Sequence, residues 1–80
     1  MDTGMILFAF RYALIKKGMV LTKVTNFVTD HIEELPNDLL MEMESELNLA
    51  YDNMTATKIP GYLSAKRLVT TIRREVYNEE

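Results

Sequence analysis

The sequence contains no cysteine, which excludes a disulfide framework and any thiolate metal site. Its single histidine is too little for a His-rich zinc site, and its three glycines cannot build a Gly-rich phosphate loop. The apolar segment at residues 5–15 is shorter than the roughly 20 residues that span a bilayer. It also lacks the preceding positive charge of a secretory signal. We therefore expect a cytoplasmic protein without a membrane segment, metal or cofactor.

The remaining composition is that of one small folded domain covering residues 1–80. Of the 80 residues, 48% are apolar and 26% are charged, which argues against disorder. A chain of this length builds only a small core, so burying further surface by self-association would help it. The formal net charge of −3 argues against general affinity for nucleic acids.

Helix start and stop signals divide the chain into four segments. The apolar spacing predicts an all-α bundle with helices at about residues 4–17, 23–35, 38–53 and 63–77. Gly18 is expected in the left-handed conformation after the first helix, with residues 19–21 as an extended connector. Pro36 ends the second helix, and Pro60-Gly61 forms a turn before the fourth. The predicted N-caps are Thr3, Thr22, Asn37 and Ser64.

The first predicted helix is apolar on all sides. Between Met5 and Ile15 only Arg11 is charged, and a helix of this kind should be buried all round. One interpretation is a central core helix. The other is a subunit interface in a homo-oligomer, for which the candidate residues are Leu7, Phe8, Phe10 and Leu14. A helix lying on a membrane surface would need a cationic polar face, which this segment barely has.

The charges are segregated along the chain. Residues 24–57 hold eight acids and no lysine or arginine, whereas residues 58–74 hold five bases and no acid. Either the oppositely charged helices attract one another weakly, or the bases form a patch for an anionic partner. Arg11 must reach water, pair with an acid of the third helix or meet an anionic partner. The alternating Glu42, Glu44 and Glu46 should fan over more than one helix face.

No combination of residues indicates catalysis, and we expect no enzymatic activity. Ser45 and Ser64 are the only serines, and Ser64 is better explained as a helix cap. His31 is the only histidine that could act as a base, and it lies in the apolar stripe of the second helix. It is expected in the core or at the edge of an interface.

Residues 10–24 resemble a pattern of small phage-encoded proteins. The run Phe10-Arg11-Tyr12-Ala13-Leu14 is followed by Lys16-Lys17 and then by Val20-Leu21-Thr22-Lys23-Val24. The chain departs from that pattern at Ile15, where it has no glycine, and at Gly18-Met19, where it has no Thr-Tyr. The resemblance implies a phage genome and a small helical accessory protein in the host cytoplasm, and it implies no activity.

Three hypotheses about function follow. The preferred one is a non-enzymatic protein that binds and inhibits or adapts a host or phage protein. The alternative is a sponge for a phosphorylated small molecule such as a signalling nucleotide, with Arg or Lys on phosphate and Tyr on the base. The candidate ligand or partner residues are Arg11, Tyr12, Lys16, Lys17, Thr22 and Lys23. A second alternative is weak nucleic-acid binding by the basic face of the fourth helix, which carries Lys66, Arg67, Thr70, Thr71, Arg73 and Arg74.

Overall fold

The computed structural model describes residues 2–55, 58 and 60–78, and it confirms the all-α class. Four α-helices follow one another: α1 (Thr3–Lys16), α2 (Gly18–Asp30), α3 (Asn37–Ala50) and α4 (Tyr62–Tyr77). A 3-10 turn (Ile32–Glu34) lies between α2 and α3. Within the described ranges there is no β-strand. Nor does any helix there combine the length and apolar character needed to cross a membrane.

None of the four predicted N-caps is the residue that caps its helix. The carboxylate of Asp2, not Thr3, caps α1 by accepting from two backbone N–H groups of the first turn at 3.0 and 3.2 Å. Asn37 is the first residue of α3 rather than its cap. The residue preceding α4 is Gly61, in the left-handed conformation with φ 90°. Ser64 lies inside that helix, where its hydroxyl donates to the Gly61 carbonyl at 3.0 Å.

The predicted connector at residues 19–21 is also wrong, because α2 already begins at Gly18. Two consecutive residues with positive φ, Lys17 at 59° and Gly18 at 62°, reverse the chain. The reversal is complete within these two residues, so the following residues continue as helix. Thr22 is therefore not a cap, and its hydroxyl donates to the Gly18 carbonyl at 3.2 Å within α2. The left-handed conformation predicted for Gly18 is confirmed.

Helices α2 and α3 end earlier than predicted. The α-helical part of α2 stops at Asp30, and the chain reaches Pro36 through the 3-10 turn instead of continuous α-helix. Helix α3 stops at Ala50 rather than residue 53, because Asp52, Asn53 and Met54 all have positive φ. Left-handed residues cannot continue a right-handed helix.

The core lies where α4 packs against α2 and α3, and α1 covers one side of α2 and α3. Two tyrosines join the end of α3 to the start of α4, with ring centroids of Tyr51 and Tyr62 6.1 Å apart. The Tyr62 hydroxyl donates to the carbonyl of Met54 at 2.7 Å. The fully buried core side chains include Phe10, Leu21, Val28, Leu40, Met43, Leu47, Tyr51, Leu68 and Ile72.

Candidate interaction surface

Helix α1 has two apolar faces, and only one of them is covered by the rest of the chain. Phe10 and Ala13 are completely buried against the core, and Ile6, Leu7 and Leu14 are partly buried beside them. The interpretation of α1 as a central core helix is therefore wrong. Helices α2 and α3 cover one side of α1, and three short helices cannot surround it.

The opposite face of α1 carries four large apolar side chains exposed to solvent. Met5 is 70% exposed, Phe8 74%, Tyr12 48% and Ile15 78%. They follow one another at intervals of three, four and three residues, which places them in a single line along a helix. We call these four residues the α1 stripe. A line of exposed apolar side chains of this kind marks an interaction site more often than isolated exposed residues do.

The predicted interface residues divide between the two faces. Phe8 lies in the α1 stripe, whereas Leu7 and Leu14 lie at the edge of the core. Phe10 is 0% exposed, so its assignment to an interface is wrong: the fold of the single chain leaves it no free surface. Sequence reasoning missed Met5 and Ile15. The signal was available, since residues 5, 8, 12 and 15 form one helical line and residues 6, 10 and 13 form another.

Arg11 points toward α3, where it binds two carboxylates. Its Nη2 donates to Oε1 of Glu42 at 2.6 Å, and its Nε donates to both carboxylate oxygens of Glu46 at 3.1 and 3.2 Å. The Arg11 side chain remains half exposed. Of the three options given for Arg11, the structure selects pairing with acids of the third helix.

The glutamates of α3 fan over two sides of the helix, as predicted. While Glu42 and Glu46 face α1, Glu44 faces α4 and accepts from Nε of Arg73 at 2.8 Å. The segregated charges of the sequence thus meet as ion pairs between helices. Most of these side chains are substantially exposed, so each pair adds modest stability and mainly fixes how the helices are oriented.

The candidate ligand residues do not converge on one pocket. While Arg11 is bound to α3, Nζ of Lys16 lies 5.6 Å from the centre of the Tyr12 ring. This cation–π contact covers one face of the ring that a nucleotide base would stack on. Lys23 lies in a different place, in an apolar groove of about 300 Å³ between α1 and α2. Lys17 is exposed at the turn between the two helices.

The basic residues of α4 are all exposed, and one of them forms a short ion pair with an acid of α3. Lys66, Arg67 and Arg74 line a shallow depression of about 420 Å³ together with two threonines and Leu63. That residue is Arg73, whose Nε donates to Glu44. Nη2 of Arg67 is 3.9 Å from the carboxylate of Asp30, a weak and exposed pair.

His31 lies at the end of α2 and is only partly buried. Its Nδ1 is 2.6 Å from Oε2 of Glu34, and its ring centroid is 4.4 Å from that of Phe27. It is therefore not a core residue of the single chain. Phe27, which is also partly exposed, connects this site to the apolar groove between α1 and α2.

Comparisons with protein-family models, curated proteins and solved structures find no match to this chain. The described residues also contain no group of three or more His, Asp or Glu side chains arranged to hold a metal ion. What the chain does must therefore be argued from its own surface.

Proposed function

We propose that this chain is a non-enzymatic interaction protein that binds another polypeptide through the α1 stripe. The observation that carries this proposal is the exposure of Met5, Phe8, Tyr12 and Ile15 in one line on a helix whose other face is already packed. Burying one such side chain gains about 1.5–3 kcal/mol. A partner that covers the stripe would remove several of them from water at once.

The contacts that hold α1 in place support this role. The helix is held on its inner face by Phe10 and Ala13, and Arg11 ties it to α3. A partner therefore meets a preformed surface and does not have to order it, which favours binding. The resemblance of residues 10–24 to phage proteins motivates one further part of the proposal: the resulting complex inhibits or adapts a host or phage protein.

The proposal is tested by comparing the polypeptides captured by three tagged chains, each co-expressed with an untagged copy and mixed with bacterial lysate. These chains are the wild type, Phe8→Glu and Leu63→Glu. Leu63 is a matched control because it is 80% exposed and lies on α4. We expect at least one polypeptide to be retained by the wild type and by Leu63→Glu and lost by Phe8→Glu. Equal capture by all three chains would refute the proposal.

A second candidate function uses the basic depression on α4. Lys66, Arg67 and Arg74 present three cations on one surface, which suits a phosphate backbone, although the chain as a whole is acidic. Fluorescence anisotropy with single- and double-stranded oligonucleotides across a salt series tests it. Binding should weaken as salt rises and as Lys66 and Arg74 are replaced by Ala. Absence of binding at low salt would exclude this candidate.

The nucleotide sponge is less favoured by the geometry. Arg11 already binds two carboxylates, and Lys16 already covers one face of the Tyr12 ring. A nucleotide would have to displace Arg11 from these carboxylates, and its base would have only the other face of the ring to stack on. A thermal-shift panel of nucleotides is the direct test, because a ligand at 100 times its dissociation constant adds about 2.7 kcal/mol of stability.

A further inference from the structure

The residues of the α1 stripe and their flanking residues are self-complementary in one orientation. This inference rests on the proposed function, since it names the occupant of the same surface. We infer that the α1 stripe packs antiparallel against the α1 stripe of a second copy of this chain, with Phe8 against the partner's Tyr12 and Met5 against the partner's Ile15.

The spacing of the stripe supports a helix as its occupant. Side chains repeating at three and four residues form the seam along which two helices pack at a small crossing angle. The stripe occupies positions a and d of two successive heptads, with Met5 and Tyr12 at a and Phe8 and Ile15 at d. In an antiparallel pair, the a residues of one helix lie beside the d residues of the other. The two outer layers then pair Met5 with Ile15, and the two central layers pair the aromatic rings of Phe8 and Tyr12.

Charge decides the direction of packing. Along one edge of the stripe lie Asp2, Ala9 and Lys16, seven residues apart. Antiparallel packing brings Asp2 of each copy near Lys16 of the other, at both ends of the contact. The small Ala9 side chains meet at the centre, where they allow the helices to approach closely. Parallel packing would instead separate Asp2 from Lys16 by the length of the contact and place Lys16 beside the partner's Arg11, so it would form no pair of opposite charges along this edge.

The other edge of the stripe carries Arg11, which would lie near its counterpart in the antiparallel pair. That proximity is tolerated because each guanidinium already binds Glu42 and Glu46 of its own chain. The helix dipoles also run in opposite directions in this arrangement. The positive N-terminal end of each α1 then faces the negative C-terminal end of the other.

The contact is modest in size. Helix α1 has 14 residues and is therefore about 21 Å long. One helix-to-helix contact of this length buries less than the roughly 800 Å² per partner of a standard stable complex. We therefore expect a dimer whose population rises with concentration.

Sedimentation equilibrium tests the assembly. The mass should rise from 9.3 kDa toward twice that value as the concentration increases. Phe8→Glu should raise the dimer dissociation constant more than tenfold while leaving the helical circular dichroism unchanged, because Phe8 is exposed in the single chain. Leu63→Glu should dimerise like the wild type. A monomer at every concentration, or equal loss in both variants, would overturn the inference.

Engineered cysteines test the orientation, and the chain has no native cysteine to interfere. In the antiparallel pair, Met5→Cys lies opposite the partner's residue 15. Two Met5→Cys positions would be about 15 Å apart along the axis, too far for a disulfide. We expect a covalent dimer when Met5→Cys and Ile15→Cys chains are mixed and oxidised, and none from either variant alone. Self-cross-linking of each single variant would show parallel packing and overturn the inference.

Matched charge reversals test the pairing of Asp2 with Lys16. Lys16→Glu places a carboxylate near the partner's Asp2 and should weaken the dimer several-fold. Lys17→Glu changes the chain charge equally, but residue 17 lies outside the seam and should have little effect. Equal weakening by both variants would contradict the antiparallel arrangement.

The outcomes separate this inference from the proposed function. If the chain stays monomeric but Phe8→Glu still loses a captured polypeptide, the stripe binds a different protein, and only the inference fails. If the chain stays monomeric and capture is the same in every variant, both fail.

Discussion

Arg11 on α1 and Glu46 on α3 form a two-contact ion pair across thirty-five residues of sequence, with Nε of Arg11 3.1 and 3.2 Å from the two carboxylate oxygens. Glu42, one helical turn before Glu46, binds the other end of the guanidinium. Two glutamates at this spacing would repel each other on an isolated helix. Because Arg11 binds both carboxylates, it offsets that repulsion and links α1 to α3.

Arg11→Gln should therefore destabilise the fold by about 1 kcal/mol, because it removes the link and leaves the two carboxylates facing each other. The half-exposed position of Arg11 keeps the loss small. Chemical denaturation of Arg11→Gln, Glu46→Gln and the double variant measures the coupling between the two residues. Losses that simply add, with no coupling, would show that the pair contributes nothing to stability.

The start of α4 depends on the absence of a side chain at Gly61. The residue has φ 90°, and a Cβ placed there would lie 3.0 Å from Cδ2 of Leu21, a completely buried side chain. Gly61→Ala should therefore cost more than the roughly 1–2 kcal/mol of left-handed strain alone. Gly18→Ala is the matched control, since Gly18 has φ 62° but no atom within 4 Å of its missing Cβ. Equal unfolding free energies for the two variants would argue against a close contact with Leu21.

Lys17 has a backbone conformation that strongly favours glycine. Its φ of 59° and ψ of −167° fall in a region that is essentially restricted to glycine. Lys17→Gly should therefore stabilise the protein by about 1 kcal/mol. Lys17→Ala removes the charge but keeps the strain, so it should give no such gain. Thermal unfolding of the two variants side by side distinguishes relief of strain from loss of charge.

Tyr51 should make the fold sensitive to alkaline pH. Burial raises the pKa of the Tyr51 phenol above its usual value of 10.0, so the unfolded chain loses this proton at lower pH than the folded chain. The contribution of the neutral Tyr51 side chain to stability is therefore fully present below about pH 10, and it is lost as the pH rises through the raised folded-state pKa. Tyr51→Phe should reduce this alkaline loss.

The comparison requires urea denaturation of wild type and Tyr51→Phe at about pH 8 and again at about pH 11. At the lower pH, Tyr51→Phe should lower the free energy of unfolding by less than about 1 kcal/mol. The Tyr51 hydroxyl makes only a long 3.5 Å contact with the Pro60 carbonyl, so little is lost when it is removed. An equal loss of stability at the higher pH in both proteins would show that groups other than Tyr51 cause it.

Local signals in the sequence predicted the four helices because apolar spacing and glycine positions act over a few residues. Gly18 has the positive φ predicted for it, and the alternating glutamates of α3 face two neighbours, whereas α2 ends at Asp30 and not at Pro36. The N-caps were less predictable. Asp2 and Thr3 are both good capping residues, and Asp2 adds a carboxylate at the positive end of the helix dipole.

The sequence by itself determined that α1 is apolar on both faces, because composition sets how much apolar surface a helix carries. Only the tertiary structure decided which face is covered. Packing against α2 and α3 buries Phe10 and leaves Phe8 in water, although the two side chains are chemically identical. Likewise, Arg11 could have met water or an anionic partner until folding brought Glu42 and Glu46 within hydrogen-bond distance. Helix periodicity is a local property of the chain, whereas the choice between two equally apolar faces depends on how distant helices are arranged around them.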